Sequence, residues 1–113
     1  MASNEYARRG YKIVDRNARM YMRKQVGEID LVATKEKEVV FVEVKARRSK
    51  SFGEPAEAVD YLKRRRLVMA AQLYLAKRPQ FDSYNWRIDV AEVHVDKNPP
   101  SVIILENVIE DLD

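Results

Sequence analysis

Val26 to Arg48 reads VGEIDLVATKEKEVVFVEVKARR, and the reading of this stretch decides the fold. Two apolar runs, Val26–Ala33 and Glu38–Ala46, are joined by a short charged turn, Thr34–Lys37. Both runs are apolar and the second is rich in valine, so each is expected to be a strand. Glu28 and Asp30 interrupt the first run, and Glu43 and Lys45 the second. Charges in strands this apolar are costly unless they are paired or bound to a metal.

Side chains alternate across a strand with period two. Glu28 and Asp30 are therefore expected on one face of the first strand, and Glu43 and Lys45 on one face of the second. If Thr34 faces Val39 in an antiparallel pair, Asp30 falls opposite Glu43 and Glu28 opposite Lys45. A slip of one residue would send these pairs to opposite faces.

Working outward, Asn4–Gly10 is expected as a short helix and Tyr11–Val14 as a short strand. The polar, basic segment Asp15–Gln25 reads either as an extended arm or as an early part of the next strand. After the hairpin, Arg47–Gly53 is a loop. Glu54-Pro55 opens a long helix that runs to about Lys77, ahead of Pro79. Val59, Leu62, Met69, Ala70 and Leu73 are its expected core stripe. Phe81–Asn85 is a loop, and Trp86–Val95 and Val102–Leu105 are the last strands. Ile88 and Val90 share one face there, and Ala91, Val93 and Val95 the other. A three-strand meander followed by a crossover helix implies an α/β fold, a mixed sheet with helices on its faces in the order α-β-β-β-α-β-β.

The 113 residues suit one domain spanning 1–113. The chain has no cysteine, which excludes a disulfide framework and a thiolate zinc site. It has neither the apolar run of a membrane span nor the core of a signal peptide. A cytoplasmic protein is expected. Net charge is +3, unevenly spread: residues 1–50 hold 13 Lys and Arg against 7 Asp and Glu, a net +6, and the remainder is −3. That asymmetry fits either an anionic partner or a solvated charged surface.

The four strand charges admit a specific chemistry. Mg²⁺ takes oxygen ligands, typically one or two carboxylates, with water and phosphate completing its shell. Two facing acids could share one such cation, and a nearby lysine could orient a water or steady charge on a phosphate. The competing reading is a salt bridge, with Asp30 or Glu43 neutralising Lys45. His94, the one histidine, has no partner motif and reads as structural. No phosphate-binding glycine motif or serine triad is present. Arg47, Arg48, Lys50 and the run Lys63–Arg66 flank the acids in sequence and could hold DNA phosphates. Tyr6, Tyr11 and Tyr21 could stack on unpaired bases, though packing is the preferred reading.

GEIDLVA (27–33), VVFVEVKARRS (39–49), FGEPAEAV (52–59) and Lys63 on the long helix together resemble the YraN family of bacterial proteins. That family is similar to the archaeal Holliday junction resolvases within the PD-(D/E)XK nuclease superfamily. The resemblance covers nearly the whole chain and implies a restriction-endonuclease-like fold. It implies a Mg²⁺- or Mn²⁺-dependent endonuclease acting on DNA, branched DNA included, or else a non-catalytic nucleic-acid-binding module on the same fold. By position Asp30 matches the motif aspartate, and Glu43 and Lys45 match the (D/E)XK pair. The implied catalytic set is Asp30, Glu43 and Lys45, and the implied metal ligands are Asp30 and Glu43 with Glu28 as auxiliary. Ile29 stands where the motif's proline would be. Related resolvases also place a glutamate on the first helix, where this chain offers Glu5. Lys63 falls where related nucleases carry a polar or basic residue beside the site; as a residue, a solvent-facing place in its basic run is preferred. A symmetric homodimer would suit a two-fold junction.

Overall fold

The computed structural model describes residues 1–47 and 61–108. The elements are α1 (Ala2–Arg8), β1 (Lys12–Met22), β2 (Lys24–Lys35), β3 (Glu38–Arg47), α2 (Tyr61–Ala76), a 3₁₀ turn (Pro79–Phe81), β4 (Asn85–His94) and β5 (Ser101–Leu105). The strands form a five-stranded sheet in sequence order. β3 and β4 run parallel and the other neighbours antiparallel. A parallel pair needs a crossover, and α2 lies on that connection. The result is the expected mixed α/β order α-β-β-β-α-β-β.

Each face of the sheet carries a helix because the central strands alternate. Val39 and Phe41 of β3, with Ile88 and Val90 of β4, pack under Leu67, Ala70, Ala71 and Tyr74 of α2. Val40 and Val42 of β3, with Ala91 of β4, pack on the other face with Ala2 and Tyr6 of α1. α1 ends at Gly10, whose φ of 93° suits a residue without Cβ. The Gly10 N–H donates to Ala7 O and the Tyr11 N–H to Tyr6 O, both at 3.0 Å, the paired bonds of a Schellman ending. Tyr6 is thereby held over the sheet, where its hydroxyl donates to the buried Asp89 carboxylate at 2.7 Å. Arg87 Nε and the Asn107 N–H also donate to Asp89, each at 2.9 Å. One buried carboxylate thus ties α1, β4 and the chain after β5 together.

Two expectations are corrected. Asp15–Met22 is neither a loose arm nor part of β2: it is the outer half of β1, and the hairpin turns at Arg23, φ 69°. Its polarity reflects the exposure of most of its residues, only Ala18 and Met20 packing on the core, rather than absence of strand structure. The stripe on α2 is also rotated. Leu62 and Met69 are 63 and 43 % exposed, and the sheet receives the i, i+3, i+4, i+7 set Leu67, Ala70, Ala71 and Tyr74. Leu73 packs at the margin of that core. The helix start at Glu54-Pro55 and Val59 lie outside the described residues.

Candidate functional site

The β2–β3 register follows the expected pairing from Lys35–Glu38 through Thr34–Val39 to Leu31–Val42. There the ladder stops. The Val44 N–H donates instead to Asp30 Oδ2 at 2.8 Å, so a carboxylate stands where the next strand-to-strand bonds would form. The β1–β2 pairing is interrupted at the same level, passing from Arg16–Leu31 to Ala18–Ile29, and the intervening Asn17 has φ 51°. Asn tolerates this left-handed backbone better than most residues. Two residues apart, Ile29 buries under α2 and Leu31 buries on the α1 face. The period-two alternation therefore breaks at Asp30, although Glu28 and Asp30 still border one cavity.

This break opens a cavity of about 340 Å³ between the strands and α2, lined by Gly27, Glu28, Asp30, Glu43, Lys63, Arg66 and Leu67. Asp30 also borders a second hollow on the α1 side, with Met1, Ala2, Ser3, Arg16, Asn17, Leu31 and Val44. Gly27 sets the depth of the first cavity. A Cβ at Gly27 would sit 3.1 Å from Ala70 Cβ and 3.1 Å from Arg66 O. Glycine lets α2 approach β2 this closely, and the approach brings Lys63 over the sheet.

Lys63 is only partly solvent-facing, its side chain 39 % exposed. Its Nζ lies 2.9 Å from Glu43 Oε2. The approach is an ion pair off the hydrogen-bond direction, so Oε2 is buried without an aligned donor among the described residues. Burial raises the Glu43 carboxyl above the usual carboxylate range. The neighbouring Asp30 adds to the rise, and Lys63 opposes it. Lys63 is raised, chiefly by Glu43. Lys45 is lowered, first by the neighbouring Lys63 ammonium and then by burial. Of the two lysines, Lys45 is the readier to release its proton.

The other expected residues divide. Glu28 borders the cavity, but its carboxylate lies 3.8 Å from Arg19 Nε across the β1–β2 pair and does not meet Lys45 in the strand pairing. Arg47 Nε is 3.3 Å from the buried Glu92 Oε2, and His94 Nε2 is 2.5 Å from Glu92 Oε1. Arg47 is thus paired with a carboxylate of the sheet. Glu92 was missed in the sequence, although it continues the Ile88–Val90 face by period two and stands beside Lys45 in the β3–β4 register. Arg66 in the cavity wall was named only as part of a basic run. Arg48 and Lys50 lie outside the described residues. Glu5 is held by Arg8 at 2.5 Å and Arg9 at 2.7 Å, which lower its carboxyl to about 2, and it lines neither cavity.

The donor set suits a hard cation. Asp30 and Glu43 supply oxygens, and the buried Glu43 Oε2 is paired with Lys63. No group of three Asp, Glu or His side chains able to hold a metal forms among the described residues. Two carboxylates completed by water and phosphate is the usual manner of Mg²⁺ binding.

The fold and cleft define an α/β domain in which two acids and two lysines converge where a hairpin parts from the sheet. The chain belongs to the family described as "Uncharacterised protein family UPF0102", whose model matches residues 1–93. A UPF0102 protein of Caldanaerobacter subterraneus subsp. tengcongensis is 40% identical over 108 residues, 96% of this chain and 82% of that relative. One from Syntrophotalea carbinolica is 45% identical over 93 residues, 82% of this chain and 72% of that relative. One from Alkaliphilus oremlandii is 40% identical over 100 residues, 88% and 82% respectively. No helix among the described residues is long and apolar enough to cross a membrane.

Proposed function

We propose that this chain is a divalent-metal-dependent endonuclease of the PD-(D/E)XK type, hydrolysing phosphodiester bonds in DNA in the cytoplasm. The observation that carries the reading is the convergence of Asp30 and Glu43 on one cavity, with Glu43 Oε2 buried and lacking an aligned donor. Asp30 and Glu43 would hold Mg²⁺ or Mn²⁺. When bound, such a cation polarises a phosphate and acidifies a water.

The chain's own groups do the rest. The Val44 N–H fixes Asp30 Oδ2, so this ligand is oriented before any cation arrives. Lys45, lowered by its lysine neighbour, gives up a proton more readily than an ordinary lysine. Lys63 is placed to steady charge on a phosphate oxygen once Glu43 is otherwise engaged.

The test is cleavage of linear, flap and four-way-junction DNA with Mg²⁺ or Mn²⁺. Asp30→Asn and Lys45→Ala should each lower the rate by about 100-fold or more with the far-UV spectrum and melting cooperativity retained. Cleavage at the wild-type rate by both variants refutes the assignment. The second reading, a non-catalytic DNA-binding module, is favoured by the Lys63–Glu43 ion pair, which already neutralises one acid. It predicts salt-sensitive binding and no cleavage of any of these DNAs with either metal.

A further inference from the structure

β1 and β2 pair all the way to Met22–Lys24, whereas β2 pairs with β3 only over Leu31–Lys35. The outer part of the hairpin is therefore a two-stranded ribbon that runs beyond the sheet. Such a ribbon is marginal by itself, and here its base is pinned. Met20 and Ile29 bury under α2, and Gly27 sits against Ala70. The tip is not buried: residues 21–25 are all exposed. Tyr21 is 51 % and Met22 59 % exposed, an aromatic and a thioether that the core does not use. Between Arg16 and Gly27 the ribbon carries four cations, Arg16, Arg19, Arg23 and Lys24, and no acid. Arg23 and Lys24 form no ion pair among the described residues.

The tip is also continuous with the acidic cleft. A hollow of about 570 Å³ is lined by Lys24, Gln25, Val26, Gly27, Arg66 and Met69. It shares Gly27 and Arg66 with the cavity that holds Asp30 and Glu43. A path thus leads from the acids, past Arg66 and Lys24, to Gln25, the strand partner of the exposed Tyr21. Phosphates match its cations, and the exposed ring on the neighbouring strand matches a base whose face is open.

We infer that the β1–β2 tip is a nucleic-acid arm: Lys24 and Arg66 guide the phosphates of a DNA strand and Tyr21 stacks on an unpaired base of that strand. This rests on the nuclease reading for the direction of the strand, and it names the substrate class as DNA with unpaired bases near the cut. Gln25, which faces Tyr21, is five residues along β2 from Asp30, or roughly 17 Å at about 3.3 Å per residue. That is about five nucleotides of B-form strand at 3.4 Å each. The stacked base is therefore expected about five nucleotides from the cleaved bond.

The experiment measures binding of the full chain, in EDTA, to fluorescein-labelled DNAs of one sequence that are fully paired or carry two unpaired nucleotides. Tyr21→Ala should weaken binding of the unpaired DNA roughly 5- to 150-fold, the usual loss of one base stack, and leave the paired DNA within about twofold. Tyr21→Phe should restore it. Lys24→Gln should weaken both DNAs alike and lower the salt slope by about 1. The inference is overturned if Tyr21→Ala weakens both DNAs equally or neither. It is equally overturned if the wild type binds no DNA, or if Tyr21→Ala acts by dissociating a dimer in sedimentation. Cleavage with Mn²⁺ on the same DNAs separates the two readings. Tyr21-dependent binding without cleavage sinks the nuclease and leaves the arm. Cleavage with a Tyr21-independent affinity sinks the arm and leaves the nuclease.

Discussion

Gly27→Ala should lower stability, although alanine is the better residue for most strands. The new methyl would lie 3.1 Å from Ala70 Cβ and 3.1 Å from Arg66 O. Ordinary contact starts near 3.4 Å, so each neighbour must retreat by at least about 0.3 Å. Arg66 O belongs to the helix backbone, and a backbone oxygen cannot swing aside as a side chain can. α2 must therefore lift as a body from a core that is close-packed beneath Leu67, Ala71 and Tyr74. Overpacking of this kind costs about 1–3 kcal/mol. The loss of glycine's freedom in the unfolded chain returns about 0.4–1 kcal/mol. The net loss is about 1–2 kcal/mol, or roughly 4–10 °C in Tm for a domain of this size. The assay is thermal unfolding by circular dichroism, with Ala70→Gly and the double variant completing a cycle. The Ala70 contact should appear as a coupling energy of about 0.5 kcal/mol or more. A Tm raised by Gly27→Ala, or zero coupling with Ala70→Gly, would refute the claim that this glycine sets the helix-to-strand distance at the cleft.

Other perturbations probe separate parts of the molecule. Tyr6→Phe removes a 2.7 Å bond to buried Asp89, and the loss of a bond to a charged group should cost about 1.5–3 kcal/mol, read as a Tm drop of roughly 6–15 °C; an unchanged Tm would mean that Asp89 does not anchor α1. Glu43→Gln tests the raised Glu43 carboxyl through pH. Because the folded value lies above the unfolded one near 4.5, the folded chain keeps a proton longer, and this contribution is present below that value and lost as pH rises through the folded one. In EDTA the Gln variant should therefore gain on the wild type as pH rises above about 4.5 and run parallel to it below; urea unfolding across pH 3–8 checks the sign. Asp30→Asn should leave the unfolding free energy within about 1 kcal/mol of the wild type in EDTA, since an amide oxygen can still accept the Val44 N–H, while ending any Mn²⁺-induced rise in Tm.

The hairpin register was legible because Thr34–Val39 closes a short turn between two strongly apolar strands, where a slip would bury charge. The element order was legible for the same reason, each apolar run having an unambiguous period. Three features were not. Strand alternation carries no sign that it will fail, so the break at Asp30 and the separation of Glu28 from Lys45 could be seen only with Asn17 and Leu31 in place. The outer half of β1 offers only Ala18 and Met20 to the core between polar and basic residues, too little apolar pattern to mark a strand. The sheet side of α2 is set by the small Ala70, which meets Gly27, with Ala71 buried beside it, and not by the larger Leu62 and Met69. A glycine opposite a helix with adjacent alanines was the available signal. Lys63 follows from that choice, because rotating the helix onto its alanines carries Lys63 from solvent to Glu43.

Asp30 borders hollows on both sides of the sheet, one with Glu43 and Lys63 and the other with Met1, Ala2 and Ser3. A single side chain is therefore the partition between the acidic cleft and the start of the chain. Any residues placed ahead of Met1 begin next to that partition, so an affinity tag fused there would start against the back wall of the acidic cleft.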